Sequence, residues 1–187
     1  MRKDLKSQTW MMPMPVAMIG TYDDSGKANL MNAAWAGIYD YGKIMLCLSA
    51  HKTTENIKKN KAFTVSFATK KTMVASDYVG IVSANKVPDK LEKAGFHAIK
   101  SSKVNAPLFE EYPLTLECEL VEVINEGEGG GNFVGKIVNV SVDEKALKDG
   151  KLDVDSIGFI SYDPVLLKYR LVGEVVGNAF TEGKKIK

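Results

Sequence analysis

Cysteine and histidine are scarce in this sequence of 187 residues, with two of each. Cys47 and Cys118 have no CxxC partner and no histidine at metal-ligand spacing, so no metal site is expected. Each lies in an apolar, strand-like run, which reads as a pair of free buried thiols in a reducing cytoplasm. No apolar run approaches the roughly 20 residues that a membrane helix needs. The first residues, MRKDLK, lack the apolar stretch of a signal peptide. The reading is therefore a cytoplasmic protein with no membrane contact. Excess charge of one sign is missing too: 25 basic residues face 23 acidic ones. That balance leaves no basic face for a nucleic acid, and the basic end, GKKIK, reads as a solvated tail. There is no GxGxxG after a strand and no P-loop; the glycines of residues 127–131 sit between two strands and read as a turn. Neither an internal repeat nor a second domain boundary is visible, so residues 1–187 read as a single domain.

Apolar residues make up 45% of the chain, enough for a packed core. Strand patterns run over residues 16–22 (VAMIGTY) and 27–33 (KANLMNA), joined by the turn signal DDSG into a hairpin. Further runs cover residues 44–49 and 62–68. Residues 114–123 (LTLECELVEV) alternate with the period of a half-buried strand. Residues 126–131 (EGEGGG) read as a hairpin turn, with a strand returning over 132–142. The last strand signals are residues 165–172 and 174–180. A short helix follows residues 49–54, another spans 89–94 between Pro88 and Gly95, and one helical turn is expected at 143–147. Residues 37–42 read as a loop, with Tyr39 and Tyr41 as a lid. About seven strands without βα alternation point to a mainly β fold with short inserted helices, an antiparallel barrel.

Three segments carry the candidate chemistry. In SAHKTTENI, residues 49–57, hydroxyls and basic groups gather where a helix begins. Unpaired N–H groups and a partial positive charge make a helix start favourable for phosphate. Thr53 and Thr54 would add hydroxyl donors and Lys52 a full charge. The plainer alternative is N-capping by either threonine. In NLMNAAWAG, residues 29–37, small residues beside Trp35 would let backbone amides lie along a planar ligand; the alternative is a core or interface tryptophan. Residues 77–84 (DYVGIVSA) precede Asp89-Lys90, and their plain reading is a surface helix with a solvated Lys90. Met11, Met12, Met14 and Met18 would line an apolar approach to a ligand or serve core and dimer packing.

Taken in order, PMPV, GKAN, NAAW, HKTTENI, FTV, residues 77–83 with Asp89-Lys90, APL, and residues 173–180 with Gly183-Lys184 span almost the whole chain. This set resembles the flavin reductase-like family and, within it, the flavoredoxin-like branch. The resemblance implies an FMN-binding split β-barrel, a homodimer with FMN near the subunit interface. It places Asn32, Ala33, Ala34 and Trp35 beside the isoalloxazine. It places Ser49, Lys52, Thr53 and Thr54 around the phosphate and nearby polar groups, with Lys90 as a further phosphate partner. Asn29 and Asn56 would orient loops or touch the ligand. One departure stands out: where many members carry Gly-Asp-His, this chain reads GGNFV, with Asn132 near the histidine's place. That leaves the reductant open between NADH or NADPH and an iron–sulfur protein partner. The resemblance thus implies a flavin-dependent oxidoreductase or electron carrier with no catalytic side chain of its own, because the flavin carries the redox chemistry. Two other readings are a non-redox barrel for nucleic acid or another partner, and a relative using a pyridoxal-type phosphate.

Overall fold

The structure is a computed structural model that describes residues 1–186. Lys187, the last residue of the basic tail, lies outside the described residues. Strands β1 (Met14–Pro15), β2 (Ala17–Tyr22), β3 (Ala28–Ala33), β4 (Ala36–Asp40) and β5 (Lys43–Ser49) precede helix α1 (Lys52–Asn60). Then come β6 (Ala62–Phe67), α2 (Met73–Ile81) and α3 (Lys90–Ala94). Short strands β7 (Ala98–Lys100) and β8 (Pro107–Phe109) lead to the long hairpin of β9 (Leu114–Gly127) and β10 (Gly130–Val142). The chain closes with β11 (Leu147–Lys148), β12 (Lys151–Leu152), α4 (Val154–Ile157), β13 (Ile160–Asp163) and β14 (Lys168–Leu171).

The fold is mainly antiparallel β with short inserted helices. Seven strands form one sheet in the order β3-β2-β6-β9-β10-β5-β4. The ladder stays open between its edge strands β3 and β4, although these are consecutive in the chain. β1, β13 and β14 make a second, three-stranded sheet. Alternation along the strands sends one set of side chains inward. Ile19, Leu46, Phe63, Val65, Cys118 and Phe133 meet inside the main sheet. A second cluster, including Met18, Leu30, Val79, Phe96, Phe109 and Tyr112, seats α2 and its neighbours against β2 and β3. Gly135 is needed where β10 crosses the core, because a Cβ there would lie 2.3 Å from the Phe63 ring.

Several expectations are corrected. Residues 37–42 are not a loop: β4 pairs with β5 from Ala36↔Leu46 to Asp40↔Lys43, and the turn is confined to Tyr41 and Gly42. Residues 174–180 form no strand, and Val175, Val176 and Phe180 are exposed. In the 165–172 run only Lys168–Leu171 is strand, since residues 164–167 turn back to pair β14 with β13. Cys118 is buried, but Cys47 is exposed, because Leu46 and Leu48 take the inward positions of β5.

Candidate functional site

Helix α1 starts between β5 and β6, and its cap is built locally. The backbone N–H of His51 donates to Thr54 Oγ1 at 3.0 Å, and the Thr54 hydroxyl donates to the His51 carbonyl at 2.6 Å. Thr54 is buried by this arrangement. The first-turn amides of Lys52 and Thr53 have no acceptor within the helix. They point out of the α1 N-terminus, where the macrodipole favours an anion.

Three elements enclose the space beside that terminus. β3 is an open sheet edge and supplies Asn29 and Met31. The end of α2 and the loop after it supply Val79, Gly80, Ile81, Val82, Ser83 and Ala84. α3 supplies Lys90. Together with His51, Lys52 and Thr53 they line a cavity of 190 Å³. A smaller pocket of 70 Å³ continues past Asn29, Lys52 and Lys90 toward Asp23 and Lys27.

The polar groups of the cavity are not all satisfied. Asn29 is 5% exposed, and its Nδ2 donates to Thr53 Oγ1 at 2.9 Å. Its Oδ1 is buried with no partner, and so is His51 Nδ1. Lys90 is 4% exposed and donates to the carbonyls of Val79 at 2.9 Å and Val82 at 3.2 Å. An ammonium has three N–H donors, so one is left over. Burial lowers the Lys90 pKa to about 8. Burial, and to a lesser extent the Lys90 charge, lowers that of His51. Lys52 lies 3.6 Å from the Glu55 carboxylate at the rim. The cavity is thus electropositive and donor-rich, and the buried Oδ1 of Asn29 lacks a partner.

The remaining candidates fall elsewhere. Ala34 and Trp35 line a cleft of 510 Å³ on the outer face of β4 and β5, covered by residues 8–11 and shared with Met14, Met45 and Cys47. Met18 instead belongs to the core. Ser49 lies with Trp35, Cys47 and Asn132 in a third cleft of 340 Å³, closed by the glycine-rich tip of the β9–β10 hairpin. Ala33 is buried in the main core. Asn32 faces α2, where a Cβ on Gly80 would come within 2.7 Å of its own Cβ. Asn56 is buried and donates to Thr21 Oγ1 at 3.0 Å, away from the cavity. The structure therefore gathers Lys52, Thr53 and Lys90 around one cavity and sets Ala34, Trp35 and Ser49 in two other clefts that share Trp35 and Cys47. His51 lines the cavity without any sequence signal for it, since a lone polar residue ahead of a helix has no periodic pattern that marks it as a cavity wall. Among the described residues, no group of three His, Cys, Asp or Glu side chains is placed to hold a metal.

An open antiparallel sheet with an anion-favouring helix start at its edge defines a class of protein, and the sequence falls in one family of it. Residues 9–166 match the family described as flavin reductase like domain, and the chain belongs to that family. Within it the chain belongs to the flavoredoxin branch. It is similar to the flavoredoxin of Desulfovibrio vulgaris (Miyazaki F), with 34% identity and a TM-score of 0.90 over 98% of this chain and 100% of that one. Flavoredoxin from Methanosarcina acetivorans shares 28% identity with a TM-score of 0.88 over 100% of both chains. An uncharacterised protein of Archaeoglobus fulgidus is 30% identical over 132 residues, 69% of this chain and 73% of its own length.

Proposed function

We propose that this chain is an FMN-binding redox protein, an oxidoreductase or electron carrier folded as one domain. The observation that carries the reading is the cavity at the α1 N-terminus, with the unpaired Oδ1 of buried Asn29 in its wall. FMN offers both kinds of partner such a cavity lacks. Its phosphate oxygens suit the free amides of Lys52 and Thr53 and the charges of Lys52 and Lys90. Its ribityl hydroxyls suit an orphan acceptor such as Asn29 Oδ1. The ring would lie toward the backbone of residues 32–35 and the exposed face of Trp35, with Ser49 in the cleft at the hairpin tip. Thr54 supports the same site through the cap. The bound flavin supplies two-electron redox chemistry. The side chains bind and orient it and exclude water, so no nucleophile or acid–base pair is required. Family membership favours this reading over a nucleic-acid barrel or a pyridoxal-phosphate site.

Two copies are proposed to pair with the flavin near their interface, reduced by NADH, NADPH or an iron–sulfur protein. The test is the visible spectrum of the purified protein, before and after anaerobic addition of each nicotinamide. A flavin spectrum is expected. Bleaching by one nucleotide would make the chain a reductase. A spectrum that neither nucleotide bleaches would make it a protein-fed carrier, in keeping with Asn132 in the histidine's place. A colourless protein that takes up no added FMN would sink the proposal.

A further inference from the structure

Beyond β14 the chain carries apolar side chains that it does not bury. Residues 172–181 (VGEVVGNAFT) form no strand, and Val175, Val176 and Phe180 are exposed, Phe180 completely. The segment is nonetheless folded on itself. The Asn178 N–H donates to the Glu182 carboxylate at 3.2 Å. The N–H groups of Thr181 and Glu182 donate to the Asn178 carbonyl at 3.2 and 3.3 Å. This turn presents Phe180 at φ +61°, a left-handed conformation that a bulky side chain rarely adopts. Such strain persists where surrounding contacts determine it. Within its own chain it only sets a phenyl ring in water. From Val175 to Thr181 the hook so formed carries no charge.

The cleft of 510 Å³ outside β4 and β5 has the matching character. Trp10, Met11, Met14, Trp35, Ile38 and Met45 form its wall, which is uncharged. Trp35 and Ile38 stay exposed there, on the strand that ends the main sheet. The wall comes from residues between 8 and 14 and between 34 and 47, whereas the hook leaves its own chain beside residues 148–155. We propose that in the two-copy assembly each hook crosses to the other chain and seats Phe180 of the partner subunit in this cleft. The inference rests on the paired-copy reading above and names the segment that makes the pair. Two indole faces and three thioethers suit a phenyl ring. Both surfaces are uncharged, so the contact strands no ion. Each copy offers one hook and one cleft, so a two-fold axis makes the contact twice and the assembly closes at two. Trp35 also faces the proposed flavin ring, so the hook of one copy closes the ring end of the other copy's site.

The cleft carries its own reporters. The chain has two tryptophans and both line it, as does Cys47, the exposed one of two thiols. The experiment uses the full-length, FMN-loaded protein. Phe180→Cys puts a thiol on the hook, and an added mild oxidant takes two electrons and two protons from a pair of thiols in contact. A disulfide between chains is expected, seen as a covalent dimer that reducing agent dissolves. It should be absent from the wild type and from Phe180→Cys combined with Cys47→Ser. Phe180→Asp should weaken the dimer at least about tenfold in sedimentation and shift tryptophan emission to the red. Its urea midpoint, measured on monomer, should match the wild type's, because Phe180 is fully exposed in its own chain. A wild-type dimer in which Phe180→Cys forms no Cys47-dependent link, or links only within one chain, would overturn the inference and leave the pairing intact. So would a Phe180→Asp variant that stays dimeric with unchanged emission. A wild type that sediments as a monomer with FMN bound would overturn both the hook and the pairing, and leave the FMN reading standing.

Discussion

Thr53 and Thr54 are adjacent hydroxyls with different partners. Thr54 bonds to His51 and closes the cap, whereas Thr53 accepts from Asn29 across to β3. Thr54→Val should therefore act on stability, by about 1 kcal/mol, the usual worth of a lost cap. Thr53→Val removes a cavity hydroxyl and also strands the buried Asn29 amide, so FMN affinity should fall roughly tenfold as stability drops by about 1–3 kcal/mol. Fluorescence titration and urea unfolding of the two variants separate the effects; equal affinity losses in both would contradict this division. Lys90 makes a pH prediction. Its folded pKa is about 8, against about 10.4 in an unfolded chain. Below 8 both states hold the proton, and the fold bears the full penalty of a buried charge. Between the two values the folded chain releases the proton first, so the penalty is relieved as pH rises. The apoprotein should thus gain stability relative to Lys90→Met from pH 8 to about 10.4, measured as the gap between urea midpoints. FMN affinity should fall over the same rise, because the site loses a positive charge. A pH-independent gap would show that Lys90 does not titrate there.

At the scale of elements, α1 and the β9–β10 hairpin tip hold the turn at Ser49 from both sides. The Ala50 N–H donates to the Gly129 carbonyl at 3.1 Å, and Lys58 meets Glu126 at 2.8 Å. Both members of that ion pair are half exposed, so Glu126→Gln should change stability by less than about 1 kcal/mol. Gly130 is different. It has φ +123°, and an added Cβ would lie 2.0 Å from the Leu48 carbonyl oxygen. Gly130→Ala should cost more than about 1 kcal/mol in thermal or urea unfolding, and it should disturb the Ser49–Asn132 cleft. A variant as stable as the wild type would mean that the tip has room to move. The same elements explain what the sequence revealed. β2, β3, β5, β6, β9 and β10 bury one face, so their apolar period was legible, and hydroxyls and a carboxylate marked the start of α1. β4 was not legible: Ile38, Tyr39 and Asp40 are all exposed, and its backbone pairing with β5 leaves no trace in side-chain pattern. Residues 174–180 misled for the opposite reason, being apolar without a strand to pair with. Within the site, the run of residues 49–54 was readable as a helix start. The burial of Lys90 and the orphan Oδ1 of Asn29 depend on how β3, α2 and α3 converge, and no local pattern encodes that.

For the whole molecule, the exposed apolar surface is the outstanding feature. Ile38 and Tyr41 stand out at the β4–β5 turn, Trp35 is half exposed at the opening between the sheet edges, and Val175, Val176 and Phe180 protrude from the last segment. β3 and β4 also end the main sheet with unpaired edges, a liability that proteins manage by covering them. A second copy of the chain would cover such surfaces, and Trp35 links them to the proposed flavin site. Light scattering or sedimentation of the FMN-loaded protein should therefore give twice the mass of the 20.5 kDa chain. If the interface completes the site, dilution to monomer should release the flavin, seen as a rise in free-FMN fluorescence that tracks the loss of dimer. Riboflavin should leave at higher protein concentration than FMN, because it lacks the phosphate held by α1. A monomer that keeps its FMN through dilution would show that the α1 cavity and Trp35 of one chain suffice, and the exposed apolar residues would then need a different partner.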